Sequence, residues 1–180
     1  LRDAHVLLGV SGGIACYKAA ELARLFRREG AAVRVVMTRH AAEFVTPLTF
    51  EALTGHPAAL EMFAPRSENA ADHVELARWA QVFVVAPATA DIIAKLALGL
   101  ADDLLSTTAL ACESPLLVAP AMNSRMWRHP AVQANVATLR SRGATVVGPA
   151  EGELACGESG PGRMAEPGEI LAAARGLLAR

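Results

Sequence analysis

Five short apolar runs constrain this chain more than any other feature: His5–Val10, Ala32–Thr38, Val82–Ala86, Leu116–Ala119 and Ala144–Val147. Each has the length of a buried strand, and the segments between them carry helical spacing, as in Ile14–Arg28 with Leu22, Leu25 and Phe26 on one face. Further helices are expected over Ala41–Leu53 (broken at Pro47), Ala90–Leu98, Asp103–Cys112, Pro130–Arg142 and Gly168–Ala179. Strands alternating with helices call for right-handed crossovers and a parallel sheet buried on both faces. The expectation is one α/β domain over residues 1–180, with a Rossmann-like (flavodoxin-like) sheet and helices on both faces. Pro57–Asp72 has weak periodicity and reads as a long loop with one short element, and 151–167 reads as a glycine-rich flap over a substrate.

Composition excludes several functions. A net charge of -1 offers no electrostatic case for nucleic acid or an anionic membrane surface. At 4% aromatic residues there is little surface on which bases could stack. The apolar runs fall far short of the roughly 20 residues of a membrane span. Three cysteines without metal-ligand spacing fit a reducing, cytoplasmic setting.

In a parallel sheet of this kind ligands sit at the carboxyl ends of the strands. Four motifs fall there: Ser11-Gly12-Gly13, Thr38, Pro87-Ala88-Thr89, and Pro120 to Asn123. The first reads equally as a phosphate-binding turn or as an ordinary strand-to-helix turn, and it matches neither GxGxxG nor GxxxxGK[ST]. Thr89 reads as a helix cap or a ligand contact, and Ser106, Thr107 and Thr108 as helix-interior hydroxyls or the lining of a polar ligand. His73 follows the long loop, where an imidazole can take a proton near neutral pH, and Arg78 can hold a carboxylate through two parallel hydrogen bonds. By spacing alone, Asn123 reads slightly more readily as the cap of a short helix holding Met126 and Trp127 than as a ligand. Cys156, among Gly157, Gly160 and Gly162, reads as an accessible thiol, whereas Cys16 and Cys112 read as core.

Taken together, SGGIACYK, DHVELARWA, PATADIIAKLALGLADDLLSTT, PAMNSRMW and ACGESGPGRMAEP resemble the flavin-containing cysteine decarboxylases over nearly the whole chain. The resemblance implies bound FMN and 4'-phosphopantothenoylcysteine as the substrate. FMN would contact Ser11, Gly12, Gly13, Ile14, Thr38, Thr89, Ser106 and the backbone at Ala121 and Met122. His73 would be the base or the group orienting the thiol. Asn123 and Arg78 would grip the carboxylate, beside Ala121, Met122 and Met126, and Cys156 would donate a proton. The chemistry needs an oxidation before CO₂ can leave, because direct loss gives a carbanion with no electron sink. A thioaldehyde supplies that sink, and the enethiolate formed from it is then reduced and protonated.

One departure from the family concerns Asp91-Ile92, where some relatives carry Asn-Thr, so neither residue is assigned to the flavin. The resemblance also implies homotrimers with flavin at subunit contacts, assembly of trimers into dodecamers, and fusion in many bacterial relatives to a domain that ligates cysteine to phosphopantothenate. Two alternatives are a flavin prenyltransferase and a non-catalytic flavoprotein acting as a regulatory subunit.

Overall fold

The computed structural model describes residues 1–62, 73–153, 157 and 159–179. Five parallel strands form the main sheet: β1 (His5–Val10), β2 (Ala32–Met37), β3 (Val82–Ala88), β4 (Leu116–Pro120) and β5 (Thr145–Val146). They run in the order β2-β1-β3-β4-β5, so the chain reverses its direction of winding between β1 and β3. This is the flavodoxin-like order, in which that reversal opens a crevice at the carboxyl edge.

The strands are largely apolar, and the twofold alternation of the pleat sorts them. Val6, Leu8, Val10, Val33, Val35, Val82 and Val84 belong to one buried cluster, and Leu7, Val36, Phe83 and Val85 to the other. The first face is covered by α1 (Cys16–Arg28), α3 (Pro47–Thr54) and α9 (Pro167–Leu178). The second is covered by α4 (His73–Trp79), α5 (Ala90–Leu98), α6 (Leu104–Ala111) and α8 (Pro130–Ser141). Two short helices, α2 (Arg39–Ala42) and α7 (Ser124–Arg128), follow β2 and β4.

The expected strands and helices appear within two residues of their predicted ends, and three elements are additions: α4, β6 and β7. Pro47 does break the second helical stretch, because it opens α3 at a position where its missing N–H costs nothing. The loop before His73 contributes an additional pairing: Ala59 bridges Val36 in parallel at the β2 edge. Most of that loop, 63–72, lies outside the described residues. The glycine-rich segment is not only a loop, since β6 (Ala150–Glu153) and β7 (Ser159–Arg163) pair as an antiparallel hairpin. Among the described residues no helix is long and apolar enough to cross a membrane.

Candidate active site

The carboxyl edge gathers the ends of β2, β1, β3 and β4 into one ledge. Ser11 joins two of them: its hydroxyl donates to the Pro87 carbonyl at 2.7 Å and accepts the Thr89 amide N–H at 3.0 Å. The β2 end joins through the Thr38 amide, bonded to the Val10 carbonyl, and the β4 end through the Ala121 amide, bonded to Ala88. Gly12 is required for this closeness. A Cβ there would lie 2.4 Å from the Cβ of His40 and 2.6 Å from its carbonyl carbon, so the first loop is packed against α2 of its own chain. Gly13 has no such constraint, since an added Cβ would meet Thr89 at an ordinary 3.7 Å.

The two threonine hydroxyls at this edge are helix caps. Thr38 accepts from the Ala41 amide at 3.2 Å, and Thr89 from the Ile92 amide at 3.3 Å. Accepting in this way leaves the Thr38 proton uncommitted among the described residues, so capping and ligand donation are compatible. Helix α1 differs from both: it starts at the same edge without a capping side chain and without an acidic residue in its first turn. The Cys16 and Lys18 amides are bonded to the Gly13 and Ala15 carbonyls, so the positive end of this 13-residue helix, next to Ser11, suits a phosphate through its dipole and its remaining amides. Ile14, 62% exposed, forms an apolar lip beside them.

Beyond β4 the chain places Asn123 at the start of α7, where its Oδ1 accepts from the Arg125 amide at 2.8 Å. The capping role is thus present, alongside a further interaction of Asn123. The amides of Ala121 and Met122 are spent within the chain, on the Ala88 and Gly162 carbonyls at 2.9 Å each. A ligand there meets carbonyl oxygens and side chains. The Met122 bond also ties β7 to this loop, and Met126, 48% exposed, projects from α7.

Two predicted residues, Arg78 and Ser106, are not brought to this ledge within one chain, and His73 stands on its β2 side. Helix α4 lies over the β2 side of the sheet, where Arg34 of β2 bonds Glu75 at 3.0 Å. Its last residue, Trp79, stacks on His5 at 4.6 Å and lies under the Arg34 guanidinium at 4.8 Å. These contacts fasten the end of α4 to the amino edge of the sheet, with exposed Arg78 beside them. His73 opens the opposite end of α4. Two to three strand spacings, roughly 10–14 Å, separate its part of the sheet from β4. Ser106 is 1% exposed and closes a capping box with Asp103, accepting from the Asp103 amide at 3.3 Å while its own amide donates to the Asp103 carboxylate at 2.8 Å. Its surroundings are a cavity of about 420 Å³ bordered by Lys95, Leu96 and Arg142, away from Ser11 and Thr89.

A second polar group, centred on Glu166, holds the base of the hairpin. Lys18 of α1 bonds Glu166 at 2.7 Å and Arg163 of β7 bonds it at 3.2 Å, and the Lys18 ammonium keeps the Glu166 carboxyl below the usual range. This group was not legible beforehand, because its members are far apart in sequence. Cys156 lies outside the described residues. Cys16 is buried as expected, and burial pushes its thiol up. Cys112 is half-buried, with its sulfur 2.9 Å from the Ser114 hydroxyl. Among the described residues no three His, Cys, Asp or Glu side chains are grouped to hold a metal ion.

The Flavoprotein family profile matches residues 1–179. The chain belongs to the flavoprotein family. It is 52% identical over 172 residues to the coenzyme A biosynthesis bifunctional protein CoaBC of Vibrio vulnificus, covering 96% of this chain and 43% of that protein. To the Escherichia coli CoaBC it is 49% identical over 171 residues, covering 95% and 42%. The chain therefore spans less than half the length of the curated relatives it matches. Among solved structures, a cysteine-to-serine variant of PPC decarboxylase complexed with pantothenoylaminoethenethiol superposes with a TM-score of 0.86 at 34% identity, covering 99% of this chain and all of that one. The FMN binding protein AtHal3 gives 0.81 at 36% identity, covering 97% and 96%.

Proposed function

We propose that this chain binds FMN and decarboxylates 4'-phosphopantothenoylcysteine to 4'-phosphopantetheine, as the decarboxylase part of a cytoplasmic coenzyme A biosynthesis enzyme. The observation that carries the reading is the position of Asn123. It follows β4, the strand paired with β3, so it stands one strand from Thr89 on the edge where α1 presents its uncapped start. A phosphate site and a carboxylate-binding amide on one ledge match the two anionic groups of a flavin mononucleotide and an acylcysteine.

Ser11, Gly12, Gly13, Ile14, Thr38 and Thr89, with the carbonyls of Ala121 and Met122, would hold the cofactor. Bound FMN supplies a two-electron sink for the CH₂–SH carbon, the oxidation that makes loss of CO₂ feasible. Asn123 keeps its cap and directs its remaining capacity at the substrate carboxylate, aligning the bond that breaks. Met126 and the loop carbonyls exclude water around it. His73 takes the thiol proton, Arg78 neutralises the carboxylate, and Cys156 returns a proton to carbon at the end.

Arg78 and Ser106 lie away from the ledge of their own chain, and His73 stands on its β2 side, some strands from Asn123. In this reading they act at the ledge of a neighbouring copy, within the homotrimer and the dodecamer built from it that the family resemblance implies. The length of the CoaBC relatives supports a continuation into a phosphopantothenate–cysteine ligase domain.

The test is anaerobic. Protein reconstituted with FMN is mixed with 4'-phosphopantothenoylcysteine while flavin absorbance and product mass are followed. Loss of CO₂ with the flavin oxidised at the end is expected. A product two hydrogens lighter over bleached flavin would replace the reading with oxidative decarboxylation. Yellow protein without turnover would favour a prenyltransferase or a regulatory subunit.

A further inference from the structure

The proposed substrate has two anionic ends, and the ledge accounts for one. Between Pro120 and Pro149 the sequence has no Asp or Glu, although the chain as a whole is slightly acidic. Arg125, Arg128, Arg140 and Arg142 fall in this stretch. Arg142 is spent on the Ala97 carbonyl at 2.7 Å, and Arg125 has a partner. Arg128, the last residue of α7, is exposed and has neither a hydrogen bond nor an ion pair among the described residues. Arg140 is exposed and likewise without a bond or ion pair among the described residues, but it lies in the last turn of α8, while Arg163 of β7 is neutralised by Glu166.

The Arg128 side chain is not simply extended into solvent. A Cβ on Gly160 would lie 3.0 Å from its Nη2 and 3.2 Å from the Ser124 Cβ, so β7 runs along α7 with the guanidinium laid across its glycine. Asn123 caps one end of α7 and Arg128 ends the other, roughly 7.5 Å along the axis. The arm between the carboxylate and the phosphate of the proposed substrate has about the chain atoms of four residues, roughly 14 Å when extended. An arm starting at Asn123 and running along the open side of α7 thus has the length to reach a side chain at the far end.

We propose that Arg128 binds the phosphate monoester of the substrate and makes the site selective for phosphorylated over unphosphorylated pantothenoylcysteine. This rests on the decarboxylase reading above. The ligand held by the PPC decarboxylase relative is a pantothenoyl compound without phosphate, so in that protein the arm docks without this group. A guanidinium fork on a phosphate is among the stronger polar contacts, and its loss is worth about 10- to 100-fold in affinity.

The experiment compares kcat/KM for the two substrates in the FMN-loaded wild type, Arg128→Ala and Arg128→Lys. The expected result is that the preference for the phosphorylated substrate drops about 10- to 100-fold in Arg128→Ala and less in Arg128→Lys, with the change in KM. An unchanged preference would overturn the proposal. FMN affinity, read from quenching of flavin fluorescence, separates the two phosphates that Arg128 could meet: weaker FMN binding with an unchanged preference would assign it to the cofactor and equally overturn the proposal. A wild type that decarboxylates neither substrate would instead refute the decarboxylase reading, and the proposal with it.

Discussion

One hydroxyl, that of Ser11, accepts the Thr89 amide at 3.0 Å while donating to the Pro87 carbonyl at 2.7 Å, so a single buried side chain closes the end of β1 onto the end of β3. Ser11→Ala removes both bonds and leaves a part-buried amide unpaired, which costs about 1 kcal/mol or more. A lower Tm is expected in the apo and FMN-loaded forms, with weaker FMN binding. A Tm equal to that of the wild type would mean that the two loops hold together without it.

Gly12→Ala should be worse for the ledge than its size implies. The added methyl would sit 2.4 Å from His40 and against the His40 backbone, which cannot swing aside like the tip of a flexible chain. Overpacking of this kind costs about 1–3 kcal/mol. Gly13→Ala, with 3.7 Å of room, is the control, and the difference in Tm and FMN affinity between the two variants measures the effect.

Asn123→Asp separates the two roles of the amide. Aspartate caps a helix as well as asparagine, so stability should change by only a few tenths of a kcal/mol. A second carboxylate facing that of the substrate costs several kcal/mol, so decarboxylation should fall at least about 100-fold. Unaltered turnover would reduce Asn123 to a cap.

Cys156→Ser should release CO₂ yet accumulate an enethiol over reduced flavin, detected by product mass and loss of yellow colour. Normal 4'-phosphopantetheine output would refute the proton-donor role. His73→Asn should keep FMN bound but slow flavin reduction by substrate about 10²–10⁴-fold, read by stopped-flow absorbance.

The Lys95 ammonium lies 3.4, 3.0 and 2.9 Å from Asp91, Asp102 and Asp103. Burial works against the charged form of Asp103, but the Ser106 amide and Lys95 outweigh it and hold this carboxyl below its usual range. A depressed folded value stabilises the protein above the unfolded pKa, and that stability is lost as pH falls through the folded one. Asp103→Asn keeps the cap and removes the charge. Its Tm deficit should be present at neutral pH and shrink below about pH 4. A deficit independent of pH would assign the loss to packing.

The regular elements were legible because their signals are local. Apolar runs, Pro47, and the glycines after α3 and α5 each act within a few residues. The four motifs at strand ends were legible for a related reason: parallel topology sends every strand end to one edge. The partners of the side chains were not. Sequence reading could not tell whether Thr38, Thr89 and Ser106 bind a ligand or cap a helix, nor that the Ala121 and Met122 amides are already engaged. The Lys18–Glu166–Arg163 group joins positions 148 residues apart and leaves no trace in any local window.

By itself the sequence determined the parallel α/β architecture, the edge on which Ser11, Thr38, Thr89 and Asn123 meet, and membership of the flavoprotein family. These depend on hydrophobic periodicity and chain direction, both written along the backbone. Only the tertiary structure decided that Arg78 lies in the last turn of α4 at the amino edge and that Ser106 closes a capping box away from Ser11 and Thr89. Side-chain position there depends on where α4 and α6 settle on the sheet, through contacts such as Trp79 on His5 and the Asp103–Ser106 box. Packing over that distance is a property of the whole fold, and no segment of the chain encodes it alone.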